Sequence, residues 1–301
     1  MIKNFLLLLR PADALNFFSL TMMTVITVIF SRKIEQSPQL ILLYAGLFLV
    51  QALLLLSRDR GRFMHWAYHL IFPTISILAI FDSLEYVVHA VNPQDIDPLL
   101  IRLDFLLFGG HPTVMLEKMM HPLLSDSLQV AYTSYYFMPF ILGIVLLAKK
   151  REQEFDLALF MIMLCFYLSY AGYLLFPAIG PRFTLTHLQT TDLKGFILTA
   201  PIQELLNRLE GIKRDAFPSG HTAIALTVLF LAFKFEKTLF WVFLPSVSAL
   251  IFSTVYLRYH YVVDVLAGII LTALTLSFGG AYYGYWQKRV RPDRRGRKED
   301  L

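Results

Sequence analysis

Residues 66–90 read WAYHLIFPTISILAIFDSLEYVVHA, an almost uninterrupted apolar run. At about 1.5 Å of rise per residue, a helix of this length extends about 38 Å, which is enough to cross the roughly 30 Å hydrocarbon core of a bilayer. Its charged side chains are few and lie near its outer end. The run therefore predicts a transmembrane helix.

Further apolar blocks of similar length lie on both sides of this one. They comprise residues 14–30, 39–56, 127–148, 155–176, 219–235, 239–257 and 260–285. The sequence therefore predicts an all-α polytopic membrane protein with about eight transmembrane helices. We interpret residues 1–301 as one membrane domain. Residues 1–65 would add two N-terminal helices to a core at 66–286, and 287–301 would form a basic cytoplasmic tail.

The composition excludes several other classes of protein. Hydrophobic residues make up 56% of the chain and charged residues 16%, too few charges to cover a soluble protein of this length. An aromatic content of 15% argues against disorder, and the single cysteine, Cys165, has no partner for a disulfide. The net charge of +5 is divided among short loops and a tail, so it does not predict a nucleic-acid-binding surface.

The distribution of lysine and arginine predicts the orientation in the membrane. The loops on the side of the two termini carry more basic residues than the opposite loops, so the positive-inside rule places both termini in the cytoplasm. Two long loops, residues 91–126 and 177–218, then face outward. Residues 101–108 and 114–120 are expected to form short interfacial helices in the first loop. Because the chain has little beyond this core, we expect a bacterial inner membrane with the active site facing the periplasm.

Residues 218–221, Pro-Ser-Gly-His, stand where the second outer loop enters a helix. Ser219 can cap that helix, Gly220 would let an anion approach the backbone, and the exposed amides of a helix start attract negative charge. Ser219 and Gly220 are therefore candidate phosphate-binding residues, next to His221. The alternative is an ordinary capped helix start that happens to carry a histidine.

The next outward turn carries a second histidine. His260 and Asp264 are four residues apart, so on a helix they would share a face, and the carboxylate would hold the imidazole in one tautomer. That arrangement suits a nucleophile. Alone, such a pair is more often a surface hydrogen bond, but loop charges place both histidine motifs on the same side of the membrane.

Arg182 ends the segment FPAIGPR, residues 176–182, at the outward end of the fifth helix. Its planar guanidinium would match phosphate oxygens. The alternative is an arginine that extends from the interface towards water.

Together, residues 218–221 and the pair His260 and Asp264 on adjacent outward-facing helix ends resemble the type 2 phosphatidic acid phosphatase (PAP2) superfamily, which includes vanadium haloperoxidases. Within it, the eight helices, the segment FPAIGPR and the run YHYVVD at 259–264 look more like the branch that contains inositol phosphorylceramide synthases. The resemblance covers the chain from about Trp66 onward. It implies a six-helix core.

The resemblance also implies roles for individual residues. His260 would be the nucleophile, His221 the general acid and base, and Asp264 the group that orients His260. Two positions depart from the family pattern. Leu175 stands where the family has a lysine before Arg182. Thr254 stands where the family has an arginine before the second histidine. Arg258 follows Thr254 by four residues and would bind phosphate instead.

The expected activity is that of a lipid phosphatase or phosphotransferase that acts on a lipid phosphate or phosphodiester through a phosphohistidine. The scheme requires no metal ion and no cofactor. Asp82, Glu85 and His89 have i, i+3, i+7 spacing and share one helix face, where they would bind a polyol acceptor such as inositol. The alternative for this face is a hydrogen-bond network that only joins helices.

Two other functions remain open from the sequence. Asp95-Ile96-Asp97 on an outer loop is compatible with the metal-binding pair of a polyprenyl-phosphate-sugar glycosyltransferase, although capping aspartates in such loops are far commoner. Asp82, Glu85 and His89 are also compatible with an intramembrane relay in a transporter. Neither alternative explains why the two histidine motifs occur together.

Overall fold

The computed structural model of the protein describes residues 9–58, 60–209 and 214–290. Within these ranges the ordered elements are helices, and the only β-type pairing is an isolated parallel bridge between Ala178 and Asp215. The principal helices are α1 (Pro11–Ile29), α2 (Ser37–Ser57), α3 (Arg62–Val91), α4 (Asp97–Phe108), α5 (Pro112–Met119), α6 (Pro122–Tyr136), α7 (Met138–Ala148), α8 (Glu152–Leu175), α9 (Thr199–Leu209), α10 (Gly220–Phe235), α11 (Lys237–Tyr256) and α12 (Val262–Val290). The basic tail expected at 287–301 lies outside the described residues from position 291 onward.

Six of the described helices are long and apolar enough to cross a membrane: α1, α2, α3, α8, α11 and α12. Two bent pairs raise the number to eight if each pair is one span: α4 with α5, bent by 60°, and α6 with α7, bent by 47°. The apolar α10 has 16 residues and is shorter than a usual span. The prediction of an all-α polytopic membrane protein is confirmed.

The expected single helix over residues 127–148 is wrong in detail, because the chain bends at Phe137 between α6 and α7. Pro139 lies in the first turn of α7. A proline has no backbone N–H to donate to the preceding turn, so it starts a helix readily and does not continue one. The bend leaves Tyr132 and Tyr135 at the end of α6 that faces the histidines.

The first two helices share the core of the protein. α1 packs against α2, α3 and α8, and its apolar residues belong to the same cluster as those of α3, α8 and α10. At the start of α1, the buried Arg10 pairs with Asp13 and reaches Asp156 of α8 at 3.3 Å. Tyr68 of α3 donates a hydrogen bond to the same Asp13. This polar cluster joins α1 to α3 and α8 at one end of the helix bundle.

At the opposite end of the bundle, α10 lies between α8, α11 and α12. Its residues are apolar on every side, which is typical of a helix in the centre of a membrane domain. The start of α10 is fixed to α12, because the Ser219 amide donates to the Asp264 carbonyl at 3.1 Å. Gly268 of α12 allows this approach, since a Cβ there would lie 2.7 Å from the Ser219 carbonyl oxygen. The two histidine motifs are therefore brought together by helix packing.

Three buried aspartates hold the outer loops on this end. Asp97 accepts hydrogen bonds from the amides of Ile179 and Gly180, both at 2.9 Å, and from the Tyr261 hydroxyl at 2.8 Å. Asp104 accepts from the amides of Val262 and Val263 at 3.0 Å. Asp126 accepts from the four successive amides of residues 196–199. Such bonds to a carboxylate are stronger than neutral ones, so they fix the loops around the histidines.

Candidate active site

His260 lies in the turn between α11 and α12 and is 3% exposed. Its Nδ1 is 2.8 Å from the Ala216 carbonyl oxygen. Because a carbonyl oxygen only accepts hydrogen bonds, Nδ1 carries the hydrogen and Nε2 of the neutral ring keeps its lone pair. That Nε2 faces His221 Nδ1 at 3.4 Å. The geometry therefore presents an unprotonated ring nitrogen to the second histidine.

Asp264 is fully buried in the first turn of α12, with Oδ2 3.4 Å from His260 Nδ1. The expectation that both residues share a helix face is wrong, because His260 precedes the helix, which begins at Val262. The Tyr261 amide donates to Asp264 Oδ2 at 2.9 Å, and the Ala216 carbonyl is the nearer partner of His260. Asp264 thus adds negative charge beside a ring that a carbonyl already orients.

His221 lies in the first turn of α10, between two tyrosine rings of α6. The ring centroids are 4.5 Å from Tyr132 and 4.4 Å from Tyr135. His221 Nε2 is buried and has no hydrogen-bond partner among the described residues. The two tyrosines hold the imidazole in place and leave Nε2 for a ligand. Neither tyrosine was expected from the sequence, although their i, i+3 spacing on α6 indicates a shared face.

Ser219 caps α10, as the sequence predicts. Its hydroxyl oxygen accepts from the Thr222 amide at 3.3 Å, and the hydroxyl donates to Thr222 Oγ1 at 3.1 Å. The reason for a glycine at position 220 differs from the expected one. A Cβ at this position would collide with the Tyr173 hydroxyl of α8, so the glycine is required by a neighbouring side chain. Phosphate binding by Ser219 and Gly220 stays a prediction that would rest on their backbone amides.

Arg182 is half-buried in the short turn Pro181–Thr184 and donates to Asn207 Oδ1 at 3.0 Å. Its guanidinium lies 5.9 Å from the centroid of the Tyr259 ring. Tyr259 stacks on Tyr132 at 4.5 Å, and Tyr132 stacks on His221. The rings of Tyr259 and Tyr132 therefore form a continuous stack between Arg182 and His221.

Arg258 is buried in the turn after α11, with a φ of +65°. Its guanidinium forms an ion pair with Glu117 at 2.7 Å and donates to Gln189 Oε1 and the Thr191 carbonyl. Burial lowers the pKa of Arg258, and the neighbouring Glu117 opposes that shift. The expected position on the helical face of Thr254 is wrong, because α11 ends at Tyr256. These contacts join α5 and the second outer loop, and a role in phosphate binding stays a prediction.

Comparison with known proteins agrees with the two histidine motifs. A family model described as the PAP2 superfamily matches residues 99–278. The chain belongs to the PAP2 superfamily. Over 180 residues it is 26% identical to a PA-phosphatase related-family protein of Dictyostelium discoideum, with 52% of this chain and 32% of that protein covered. The chain thus spans about a third of that relative's length. No solved structure matches it.

The PAP2 match contains His221, His260, Asp264 and Arg182, and it begins after the third helix. The predicted core boundaries of 66–286 and the placement in the inositol phosphorylceramide synthase-like branch stay predictions. Membership confirms the superfamily to which the motifs pointed. The chain is thus an integral membrane protein of this superfamily.

A cavity of about 920 Å³ opens beside the histidines of this PAP2 protein, between α3, α6, α7 and α8. Its lining includes His221, Asp82 and Asp215. Most of the remaining lining is apolar or aromatic, from Leu70 in the first third of α3 to Tyr173 near the end of α8. Asp215 was missed by sequence analysis, although it stands four residues before Ser219. Burial raises the pKa of Asp215 to about 6.

The three residues expected to bind an acceptor have different surroundings. All three are exposed on one face of α3, and Asp82 lines the cavity with His221. His89 bonds through Nε2 to Asp95 Oδ1 at 3.1 Å, and Asp95 also pairs with Arg214. Glu85 lies between them on the helix. Asp82 therefore lies at the candidate site, whereas His89 is bound to Asp95 of the first outer loop.

The aspartates of the alternative metal-binding pair have separate protein partners. Asp95 bonds to His89 and Arg214, whereas Asp97 is buried against the amides of Ile179 and Gly180. These contacts give Asp97 a role in fixing the FPAIGPR segment. Among the described residues, no group of three or more histidine, cysteine, aspartate or glutamate side chains is arranged to hold a metal ion.

Proposed function

We propose that this protein is a lipid phosphatase or phosphotransferase that acts on a lipid phosphate or phosphodiester through a phosphohistidine at His260. The observation that carries the proposal is the ring pair. His260 Nδ1 is held by the Ala216 carbonyl, and its Nε2 faces His221 at 3.4 Å. A neutral imidazole fixed in this tautomer is a nucleophile, and a second histidine beside it can transfer a proton.

In the first half-reaction, the Nε2 lone pair of His260 forms a bond to phosphorus while the bond between phosphorus and the lipid oxygen breaks. The leaving oxygen takes a proton from His221. Positive charge then develops on His260, and the Asp264 carboxylate, 3.4 Å from Nδ1, stabilises it. Entry of the phosphoryl group replaces the contact between the two rings.

In the second half-reaction, His221 removes a proton from water or from an acceptor hydroxyl, whose oxygen attacks phosphorus. The bond to His260 breaks, and phosphate or the phosphorylated acceptor leaves. Arg182 and the amides at the start of α10 stabilise the charge on the phosphoryl oxygens, the main contribution to catalysis of phosphoryl transfer. Arg258 would also stabilise the charge on the phosphoryl oxygens if its hydrogen bonds to the outer loops break. No metal ion or cofactor takes part.

Transfer to a polyol such as inositol is a second candidate activity, as in the inositol phosphorylceramide synthase-like branch. It is favoured by the position of Asp82, which lines the same cavity as His221. Glu85 and His89 continue the polar face of α3. In this version a hydroxyl of the acceptor replaces water in the second half-reaction.

The proposal includes the orientation in the membrane. Both termini lie in the cytoplasm, and the histidine pair faces the periplasm of a bacterial cell. The support is the excess of lysine and arginine in the loops on the side of the termini.

The test is phosphate release from a panel of lipid phosphates by the purified protein, with and without a polyol. His260→Ala should abolish turnover, whereas His187→Ala, a change of an exposed histidine in an outer loop, should not affect it. His221→Ala should lose turnover of natural lipids, and a substrate with a good leaving group should restore the first half-reaction. Full activity of folded His260→Ala would contradict the proposal.

A further inference from the structure

The end of the cavity nearest the histidines is acidic. Asp82 of α3 and Asp215 of the loop before α10 both line it, and no lysine or arginine among the described residues does. Tyr170 and Tyr173, one turn apart on α8, line the cavity as well, so both carboxyl groups and both phenol rings face the same cavity.

A second observation shows that this end is built for a ligand. His221 is 9% exposed, lines the same cavity, and has an Nε2 with no hydrogen-bond partner among the described residues. Neither Asp82 nor Asp215 forms an ion pair with a lysine or arginine among those residues. His221 Nε2 is thus a buried polar atom that the protein leaves for a ligand, beside two carboxyl groups that no lysine or arginine of the described residues neutralises.

Beyond this polar end the cavity is suited to a hydrocarbon chain. The distance from Asp82 to Leu70 along the axis of α3 is about 18 Å, since an α-helix rises 1.5 Å per residue. Residues lining this length include Ile77, Phe140 and Ile162. A lipid chain that occupies it would carry its phosphate to the histidines and place its first carbons beside Asp82 and Asp215.

Charge decides which part of the lipid contacts the carboxylates. A phosphate dianion is repelled by the two carboxylates, so the phosphate oxygens lie on the side of Arg182 and the helix start. The uncharged link between phosphate and hydrocarbon then lies against Asp82 and Asp215. A carboxylate accepts hydrogen bonds and donates none, so the two aspartates favour a donor on this part of the lipid.

We propose that Asp215 and Asp82 select lipid phosphates that carry a hydrogen-bond donor, a hydroxyl, amide N–H or amine, within a few atoms of the phosphate. This inference rests on the proposed function, whose substrate it specifies. Monoacylglycerol phosphates and sphingoid phosphates have such donors. Diacylglycerol phosphates and polyprenyl phosphates lack them and would leave both carboxylates without a donor from the lipid, which is costly for the half-buried Asp215.

The test compares two lipids that differ in one donor. The first is a monoacylglycerol phosphate with a free hydroxyl next to the phosphate-bearing carbon, and the second is its methyl ether with the same acyl chain. Phosphate release by the full-length protein in detergent gives kcat/KM for each. The wild-type protein should prefer the free hydroxyl by about tenfold or more, since a buried hydrogen bond to a charged group has that effect.

Asp215→Asn should reduce this ratio several-fold, because an amide can donate to the ether oxygen as well as accept from the hydroxyl. Asp82→Asn should act in the same direction, and it provides a second variant if Asp215→Asn does not fold. Asp192→Asn, a change in an exposed loop carboxylate, should leave the ratio unchanged.

Two results overturn the inference. A wild-type ratio near one, or a ratio that is the same in the wild-type protein and in both folded cavity variants, removes the selection and leaves the proposed function intact. Release of phosphate from neither lipid, nor from any lipid phosphate in the wider panel, contradicts the proposed function as well.

Discussion

At the scale of single residues, the orientation of His260 depends on a backbone carbonyl more than on the expected carboxylate. The Ala216 oxygen is 2.8 Å from Nδ1, and Asp264 is 3.4 Å away. The carbonyl fixes which nitrogen carries the hydrogen whatever the state of Asp264. The carboxylate has a separate effect, because it stabilises the positive ring that forms during phosphoryl transfer.

This division predicts a moderate effect of Asp264→Asn. The tautomer of His260 should persist. Turnover should fall by about 10- to 100-fold, because a hydrogen bond to a charged group contributes about 1.5–3 kcal/mol. Single-turnover kinetics would measure the rate of the first half-reaction directly. A loss as complete as that of His260→Ala would instead show that Asp264 sets the tautomer.

The residues found from the sequence are those whose partners are close in the chain. His221 is two residues after Ser219, which caps its helix, and His260 is four residues from Asp264. Asp215, Tyr132 and Tyr135 were missed, because their relation to His221 arises only when α6, α8 and α10 pack together. Spacing along one helix could indicate the two tyrosines, but it could not indicate what they stack on.

At the scale of elements, the length of the apolar runs predicted the positions of the helices well, whereas individual residues such as prolines determine where the helices end. The expected block 14–30 corresponds to α1 at Pro11–Ile29, and 155–176 to α8 at Glu152–Leu175. The bend before α7 was not expected, because hydropathy does not register a proline within an apolar run. The outer loops depend on side-chain contacts with distant backbone amides, which no local pattern predicts.

The turn after α11 is joined to α5 by the buried pair of Arg258 and Glu117. Glu117→Ala would leave the guanidinium buried without its counter-charge. Removing one partner of a buried pair typically costs about 3–5 kcal/mol, so this variant should unfold at a clearly lower temperature. Lys118→Ala, in an exposed neighbour, is the matched control. An unchanged Tm in thermal unfolding of the purified protein would contradict the structural role of the pair.

At the scale of the whole molecule, two polar clusters lie near opposite ends of α8. Asp156 contacts Arg10 near its start, and Tyr173 lies against Gly220 near its end. Those positions are 17 residues apart, or about 26 Å along the helix, close to the thickness of the hydrocarbon core. The histidine pair and the Arg10 cluster therefore lie about one hydrocarbon thickness apart along α8, and the cavity beside α8 extends from His221 towards the end that carries the Arg10 cluster.

The covalent intermediate tests the account most directly. The purified protein would be mixed with a lipid phosphate labelled with ³²P and quenched in alkali, in which phosphohistidine survives, and its peptides would be mapped by mass spectrometry. We predict label on Nε2 of His260, no label in His260→Ala, and unchanged label in the control His187→Ala. Label on a different residue, or steady turnover with no labelled protein at any time, would contradict His260 as the nucleophile.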